Sequence, residues 1–188
     1  MELTSLVGPD AIVVFNVSDI RSDPIIVHKN HISSLNLALI TPSELRSYTR
    51  RLLRAVVKMK TREGGLELSK VLEWLWDVAV RAILDCLGFV QTPADNQRWP
   101  RIWWVGSGFL NIFPIHSAGY HHDTISGKCT IDRVISSYAP TIKALAYARE
   151  REALARPLSE QKALLVGMPQ TPGMKPLPFV ESEFQRLQ

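Results

Sequence analysis

Cysteine is scarce in this sequence, since its 188 residues include only Cys86 and Cys129. Two cysteines cannot form the disulfide framework that holds small secreted domains together. Cys86 falls in a helical pattern and Cys129 in a loop, so the spacing gives no reason to pair them. We therefore expect reduced thiols and a cytoplasmic protein.

Long apolar runs and internal repeats are also missing. No stretch approaches the roughly 18 consecutive apolar residues of a membrane-spanning helix, and the N-terminus lacks a basic segment followed by an apolar one. No similarity recurs every 30 to 50 residues, which argues against a solenoid of helical or strand repeats. We expect no membrane association, and the sequence predicts a single globular unit.

The charge is only mildly basic, with 22 Lys and Arg against 18 Asp and Glu and a net charge of +4. The cations are spread along the chain, apart from Arg50-Arg51 and residues 58–62. A nucleic-acid surface needs cations concentrated on one face, so we expect no nucleic-acid partner. An apolar content of 46% is ordinary for one domain with a real core.

Short apolar and β-branched runs predict the strands of the core. Continuous runs of this kind are typical of strands buried on both faces, and Trp103 and Trp104 would then point to opposite faces of one strand. Residues 25–28 and 34–39 read as a hairpin-like edge, and residues 109–113 as a further extended run that Pro114 stops. The central strands are predicted at Ala11–Val17, Arg101–Val105, 134–138 and 162–168.

Helical periodicity and capping signals alternate with these strands. Thr41-Pro42-Ser43-Glu44 is a capping box that begins a helix running to about residue 60. Gly64-Gly65 is expected to break the chain before a longer helix at residues 66–87, which Gly88 ends. Residues 141–150 form a third helix with Pro140 at its first position, and a fourth begins at residue 181. Strands alternating with helices predict an α/β fold.

Two motifs invite a catalytic reading that their context does not support. Gly106-Ser107-Gly108 lacks the spacing of a nucleophile elbow, so we expect a turn between two strands. His116 is expected to be a partly buried residue at an element junction, bonded to a backbone carbonyl. A hydrolase that uses His116 with Cys86 or Cys129 remains a minor alternative.

A cluster of His and Asp residues resembles a metal site in composition only. His116, His121, His122 and Asp123 are close in sequence, but adjacent His in a loop rarely point at one ion. The two remaining glycine positions near the strand do not complete a dinucleotide fingerprint either. We therefore assign no catalytic, cofactor-binding or metal-binding residue and expect no cofactor.

A family resemblance is carried by two segments of the chain. WWVGSGFLNIFPIHSAGY followed by DRVISSYAPTIKAL resembles the CHAT domain, a caspase-like module associated with tetratricopeptide repeats. The matching motifs are residues 113–119, FPIHSAG, and residues 136–141, SSYAPT. The resemblance implies a partial caspase-like sandwich with a mostly parallel central sheet flanked by helices, in the fold of a cysteine endopeptidase.

The catalytic motifs of that family have no counterpart in this sequence. The resemblance places the His in an Ala-Cys-His-Gly stretch and the Cys in a Ser-Ala-Cys stretch, both later than Gln188. We therefore expect residues 1–10 to be a leader or linker remnant and residues 11–188 to be the N-terminal part of a CHAT-like domain, truncated and inactive alone. The alternative is a protein-interaction or scaffold module derived from such a domain.

Protein partners are the binding class that remains. The strand at residues 162–168 would leave an apolar edge with unpaired backbone groups. We expect that edge to bind the missing half of the domain or a second copy of the chain. The resemblance adds tetratricopeptide-repeat segments as possible partners.

Overall fold

The computed structural model describes residues 8–29, 31–94, 96–122, 127–153 and 166–187. The chain divides into two compact units, Met1–Glu150 and Arg151–Gln188. The first unit contains a five-stranded sheet in the order β3-β2-β1-β4-β5. The strands are β1 Ala11–Val17, β2 Ser22–His28, β3 His31–Ser34, β4 Arg101–Val105 and β5 Ile135–Tyr138.

The sheet is mixed, whereas the sequence predicted a mostly parallel one. β2 pairs antiparallel with both β1 and β3, because each of these connections is too short for anything but a reversal. β4 pairs parallel with β1 and β5, and each approach to these strands follows a long connection. The α/β class is thus confirmed, and the parallel part of the sheet is confined to β1, β4 and β5.

Three of the four predicted central strands lie in this one sheet, as expected. Most of the fourth, residues 162–165 of 162–168, lies outside the described residues, and 166–168 are irregular. The strand predicted at 34–39 is wrong, because pairing with β2 ends at Ser34. The extended run predicted at 109–113 is instead a 3₁₀ helix, Gly108–Ile112, whose start Gly108 permits with a φ of +50°.

The helical hairpin begins where the capping box predicted. α1 spans Pro42–Val57, and the Thr41 hydroxyl accepts a hydrogen bond from the Glu44 N–H at 3.2 Å. α2 spans Arg62–Leu75, and Thr61 caps it by accepting from the Gly64 N–H at 3.1 Å. Because Thr61 supplies that cap, Gly64-Gly65 lies in the first turn of α2 and does not break the chain as predicted.

One continuous helical segment follows, although its hydrogen bonding changes in the middle. A π-helical turn at Trp76–Val80 joins α2 to α3, which spans Arg81–Cys86. Gly88 then ends the segment with a φ of +77°, and the Phe89 N–H reaches the Leu84 carbonyl at 2.8 Å. This is the glycine stop that the sequence predicted.

The remaining helices are α4, Ile142–Ala153, and α5, Val180–Leu187. Pro140 is not in the first turn of α4 as predicted, because the Thr141 hydroxyl caps that helix by accepting from the Ala144 N–H at 3.0 Å. α5 begins close to the predicted position. Among the described helices, none combines the length and the apolar content needed to cross a bilayer.

Each face of the sheet has its own apolar cluster, and β4 contributes a tryptophan to each. Trp104 is fully buried in the larger cluster, stacks on Phe15 and donates from Nε1 to the Ser136 hydroxyl at 3.0 Å. Trp103 lies half-buried beside the smaller cluster, which contains residues of α4. Its ring is covered by the Arg149 guanidinium, and its Nε1 donates to Asp10 at 3.2 Å.

We predict unequal costs for emptying these two sites. Trp104→Ala should lower the free energy of unfolding by about 3–5 kcal/mol, because it removes a fully enclosed ring. Trp103→Ala should cost roughly 1–3 kcal/mol, since less of its area is withdrawn from water. Denaturant melts of both variants would measure the difference. Equal losses would mean that the two faces of the sheet are equally enclosed.

Candidate functional site

His116 lies on a 3₁₀ turn, Ile115–Ser117, next to the end of β5. Its backbone N–H and its Nδ1 both lie 2.9 Å from the Tyr138 hydroxyl oxygen. The sequence predicted a partly buried His that holds a backbone carbonyl. The side chain is instead exposed, and its partner is a phenol, because the turn and the end of the strand bring the two rings edge to face.

The two hydrogen bonds at Tyr138 fix where the protons are. The phenolic oxygen accepts from the His116 N–H, so its own proton is free to reach the lone pair on Nδ1. Burial raises the pKa of Tyr138 above its ordinary value, although the backbone bonds from His116 and Ile115 act in the opposite direction. The phenol therefore stays protonated at neutral pH and holds the turn against β5.

A concavity lies beside this contact at the open side of β5, and we call it the β5 edge groove. Its volume is about 350 Å³, and most of its lining is apolar. Ile131 and Ile135 contribute partly exposed side chains to it, and His116 and Ser136 are its polar members. The lining residues are Trp99, His116, Ile131, Val134, Ile135 and Ser136.

The closest thiol–imidazole contact involves His121 and not His116. Cys129 Sγ lies 3.9 Å from His121 Nδ1, while His121 Nε2 lies 2.7 Å from the Ser117 carbonyl oxygen. That carbonyl can only accept, so Nε2 carries the proton and Nδ1 presents a lone pair to the thiol. However, Cys129 is only 6% exposed, whereas Cys86 is exposed at the end of α3.

The residues that resembled a metal site have separate partners. His116 contacts Tyr138, His121 contacts Ser117, and His122 Nε2 lies 3.1 Å from the Ser69 hydroxyl. Asp123 lies outside the described residues. Within the part of the chain that the structure describes, no group of three His, Cys, Asp or Glu side chains is arranged to hold a metal ion.

Ser107 belongs to a turn, as the sequence predicted, but the turn leads into the 3₁₀ helix and not into a second strand. Its carbonyl oxygen accepts from the Leu110 N–H at 3.1 Å, which starts the 3₁₀ helix. Gly106 packs closely against Asn111, where a side chain would not fit. These contacts explain both glycines without a catalytic role for the serine.

A second concavity, which the sequence analysis missed, surrounds Arg133. The Arg133 guanidinium lies over the Trp76 ring at 4.8 Å and donates to the Gly127 carbonyl and to Asp85. These contacts join the loop before β5 to the end of α3. An arginine in a polar stretch usually reads as solvated, so no signal distinguished it. The pocket has a volume of about 400 Å³ and is lined by Trp76, Asp77, Arg81, Tyr120, Lys128 and Arg133.

The Tyr120 hydroxyl closes one side of this second pocket. It donates to the Asp77 carboxylate at 2.6 Å, and that hydrogen bond is the main cause of a raised pKa for Tyr120. Asp77 lies on the π-helical turn, so this bond fixes the 120–128 segment to the helix. The pocket wall is therefore held mainly by structural contacts.

Gly119 is the backbone position on which the cysteine segment depends. It forms a bridge with Cys129 at a φ of +146°, and an added Cβ would lie 2.5 Å from the Cys129 Cα and from the Lys128 carbonyl oxygen. Only glycine fits both the conformation and the space. Gly65 offers the opposite case, since a Cβ added there in α2 meets nothing within 4 Å.

We predict opposite effects of alanine at these two glycines. Gly119→Ala should lower the free energy of unfolding by more than about 2 kcal/mol, because strain and a backbone clash act together. Gly65→Ala should raise it by about 0.5–1 kcal/mol through the better helix propensity of alanine. Thermal and denaturant melts would measure both. A neutral Gly119→Ala would mean that the bridge to Cys129 is not rigid.

Two comparisons with known proteins bear on this site. A family model described as the CHAT domain matches residues 69–188, which is more than half of the chain. The match includes β4, β5 and the β5 edge groove, whereas β1, β2, β3 and α1 precede it. A search of curated proteins found no match.

Proposed function

The chain belongs to the CHAT domain family of caspase-like peptidase modules, and from this premise we propose that it acts as a protein-interaction part of such a module. Its β5 edge would take up an extended segment of a partner protein, while the chain alone would not cleave peptide bonds. The observation that carries the proposal is the open side of β5, where a strand of a parallel ladder borders an apolar groove.

The position of β5 supports strand uptake. Its inner side pairs with β4, and the Ile135 and Ala139 N–H groups bond to the Pro100 and Trp104 carbonyls. No described strand pairs with the outer side. Parallel strands usually lie inside a sheet, and a strand edge with unpaired backbone groups is a template for adding another.

The groove defines the chemistry of the partner segment. Main-chain pairing along β5 is independent of sequence, so selectivity depends on the side chain that enters the groove. Ile131, Ile135 and Trp99 favour an aliphatic side chain there. The partner is therefore an extended segment with an aliphatic residue at that position, which a second copy or a later CHAT segment can supply. Association with tetratricopeptide repeats stays a prediction from the family.

The cysteines support the absence of peptidase activity from this chain. A nucleophilic thiol has to reach a peptide carbonyl, and the only described thiol in contact with an imidazole is the nearly buried Cys129. Both cysteines are free thiols, in keeping with the expected cytoplasmic location. The second candidate function, a cysteine peptidase that uses Cys129 and His121, is favoured by their 3.9 Å contact alone.

We predict that the purified chain associates through β5. Sedimentation equilibrium should detect concentration-dependent association, and Ile135→Lys should weaken it by about tenfold or more, because a charge would enter the apolar groove. Ile32→Lys is the matched control, since Ile32 is a similarly exposed isoleucine on β3 at the opposite edge of the sheet. A clean monomer at high micromolar concentration, or equal effects of the two variants, would contradict the proposal.

We also predict that Cys129 is not a catalytic nucleophile. An electrophilic peptide probe should label exposed Cys86 at the rate of an ordinary thiol and leave Cys129 unmodified in the folded chain. Mass spectrometry after labelling would distinguish the two sites. Rapid labelling of Cys129 that His121→Ala abolishes would overturn the inactive assignment in favour of a peptidase.

A further inference from the structure

The outward surface of α1 carries a second ordered pattern in addition to its buried face. Arg46, Arg50, Leu53 and Val57 follow one another at spacings of four, three and four residues and are all exposed. We call these four residues the outer stripe of α1. Leu53 is 54% and Val57 86% exposed, so the stripe is both basic and apolar. The opposite face is the core face, with buried Leu45, Thr49, Leu52 and Ala55.

Positive charge is concentrated on this part of the chain. Residues 42–62 contain seven Lys and Arg and one Glu, a net charge of +6, whereas the whole chain has +4 and the remainder therefore −2. Two of these cations are paired, because Arg51 contacts Glu67 at 2.5 Å and Lys58 contacts Glu63 at 3.1 Å. Arg46, Arg50 and Arg54 have no ion-pair partner among the described residues.

The stability of α1 does not account for the stripe. Cations stabilise the C-terminal end of a helix, but Arg46 lies near the N-terminal end, where the helix dipole disfavours positive charge. Arg46 and Arg50 are also four residues apart, a spacing at which like charges repel. The exposed Leu53 and Val57 gain nothing from water either. An external partner would compensate for all three features.

We propose that the outer stripe docks an acidic amphipathic helix of a partner protein. Carboxylates on that helix would meet Arg46 and Arg50, whose planar guanidinium groups bind carboxylates through two parallel hydrogen bonds. Its apolar side chains would pack on Leu53 and Val57. Alternating spacings of three and four residues are those at which two helices interlock along a seam.

The pattern favours a helix over the other anionic partners. Nucleic acid would leave Leu53 and Val57 against phosphates, where apolar side chains gain no contact with base edges. A lipid surface is usually bound through a wider apolar face that includes aromatic residues, which the stripe lacks. The stripe also precedes the family match and lies on a helix distinct from the β5 edge, so the inference does not depend on the proposed function.

The test uses the full chain and a defined probe. The probe is a fluorescent peptide of roughly 20 residues, long enough to be helical in isolation, with Glu and Leu along one seam on an alanine-rich background. A scrambled peptide of the same composition is the control for charge alone. Fluorescence anisotropy at physiological salt should detect saturable binding of the probe and at least about tenfold weaker binding of the scrambled peptide.

Two variant pairs and a matched control locate the binding. Arg46→Glu/Arg50→Glu and, separately, Leu53→Ser/Val57→Ser should each weaken probe binding by about tenfold or more. Lys143→Glu/Lys175→Glu changes the charge by the same amount at exposed positions elsewhere and should leave it unchanged. Circular dichroism would establish that all three variants remain folded.

Three outcomes would overturn the inference. Equal binding of the scrambled peptide would mean that only net charge is recognised. An undiminished affinity after Leu53→Ser/Val57→Ser would remove the apolar half of the seam. Binding to phosphatidylserine vesicles or duplex DNA that Arg46→Glu/Arg50→Glu abolishes, with no binding of the helical probe, would identify a lipid surface or a nucleic acid as the partner.

Discussion

The parallel pairing of β4 between β1 and β5 is the constraint on which the rest of the molecule depends. It places Trp104 against Phe15 on one side and against the Ser136 hydroxyl on the other, so a single buried side chain joins three strands. The same pairing sends Trp103 to the opposite face, where Arg149 of α4 covers it. Both layers of helices are therefore positioned by one five-residue strand.

Local chemistry decided how much of this fold could be predicted from the sequence. Ala11–Val17 and Arg101–Val105 were predictable because burial on both faces requires continuous apolar runs, and Thr41 because a capping hydroxyl is a local device. The run at 109–113 has the same composition as a strand, yet it has no neighbour to pair with and forms a 3₁₀ helix. Pairing partners are a property of the tertiary structure, which composition does not encode.

The candidate site was predicted less well than the fold, and for the same reason. His116 was identified as a junction residue, but its partner Tyr138 lies 22 positions later and only strand placement brings the two together. The contact between Cys129 and His121 requires the close approach at Gly119, which a single glycine does not announce. The outer stripe of α1 was legible as a pattern, but its exposure became certain only when the core face was known.

The π-helical turn at Trp76–Val80 has a consequence for sequence change in this chain. Such a turn holds one more residue than an α-helical turn, so it is equivalent to a single-residue insertion that the helix has absorbed. A deletion within 76–80 would restore ordinary helical bonding and rotate α3 by about 100° relative to α2. Ile83 and Leu84 would then leave the core, and Arg133 would lose Asp85, so this helix should tolerate substitutions far better than changes in length.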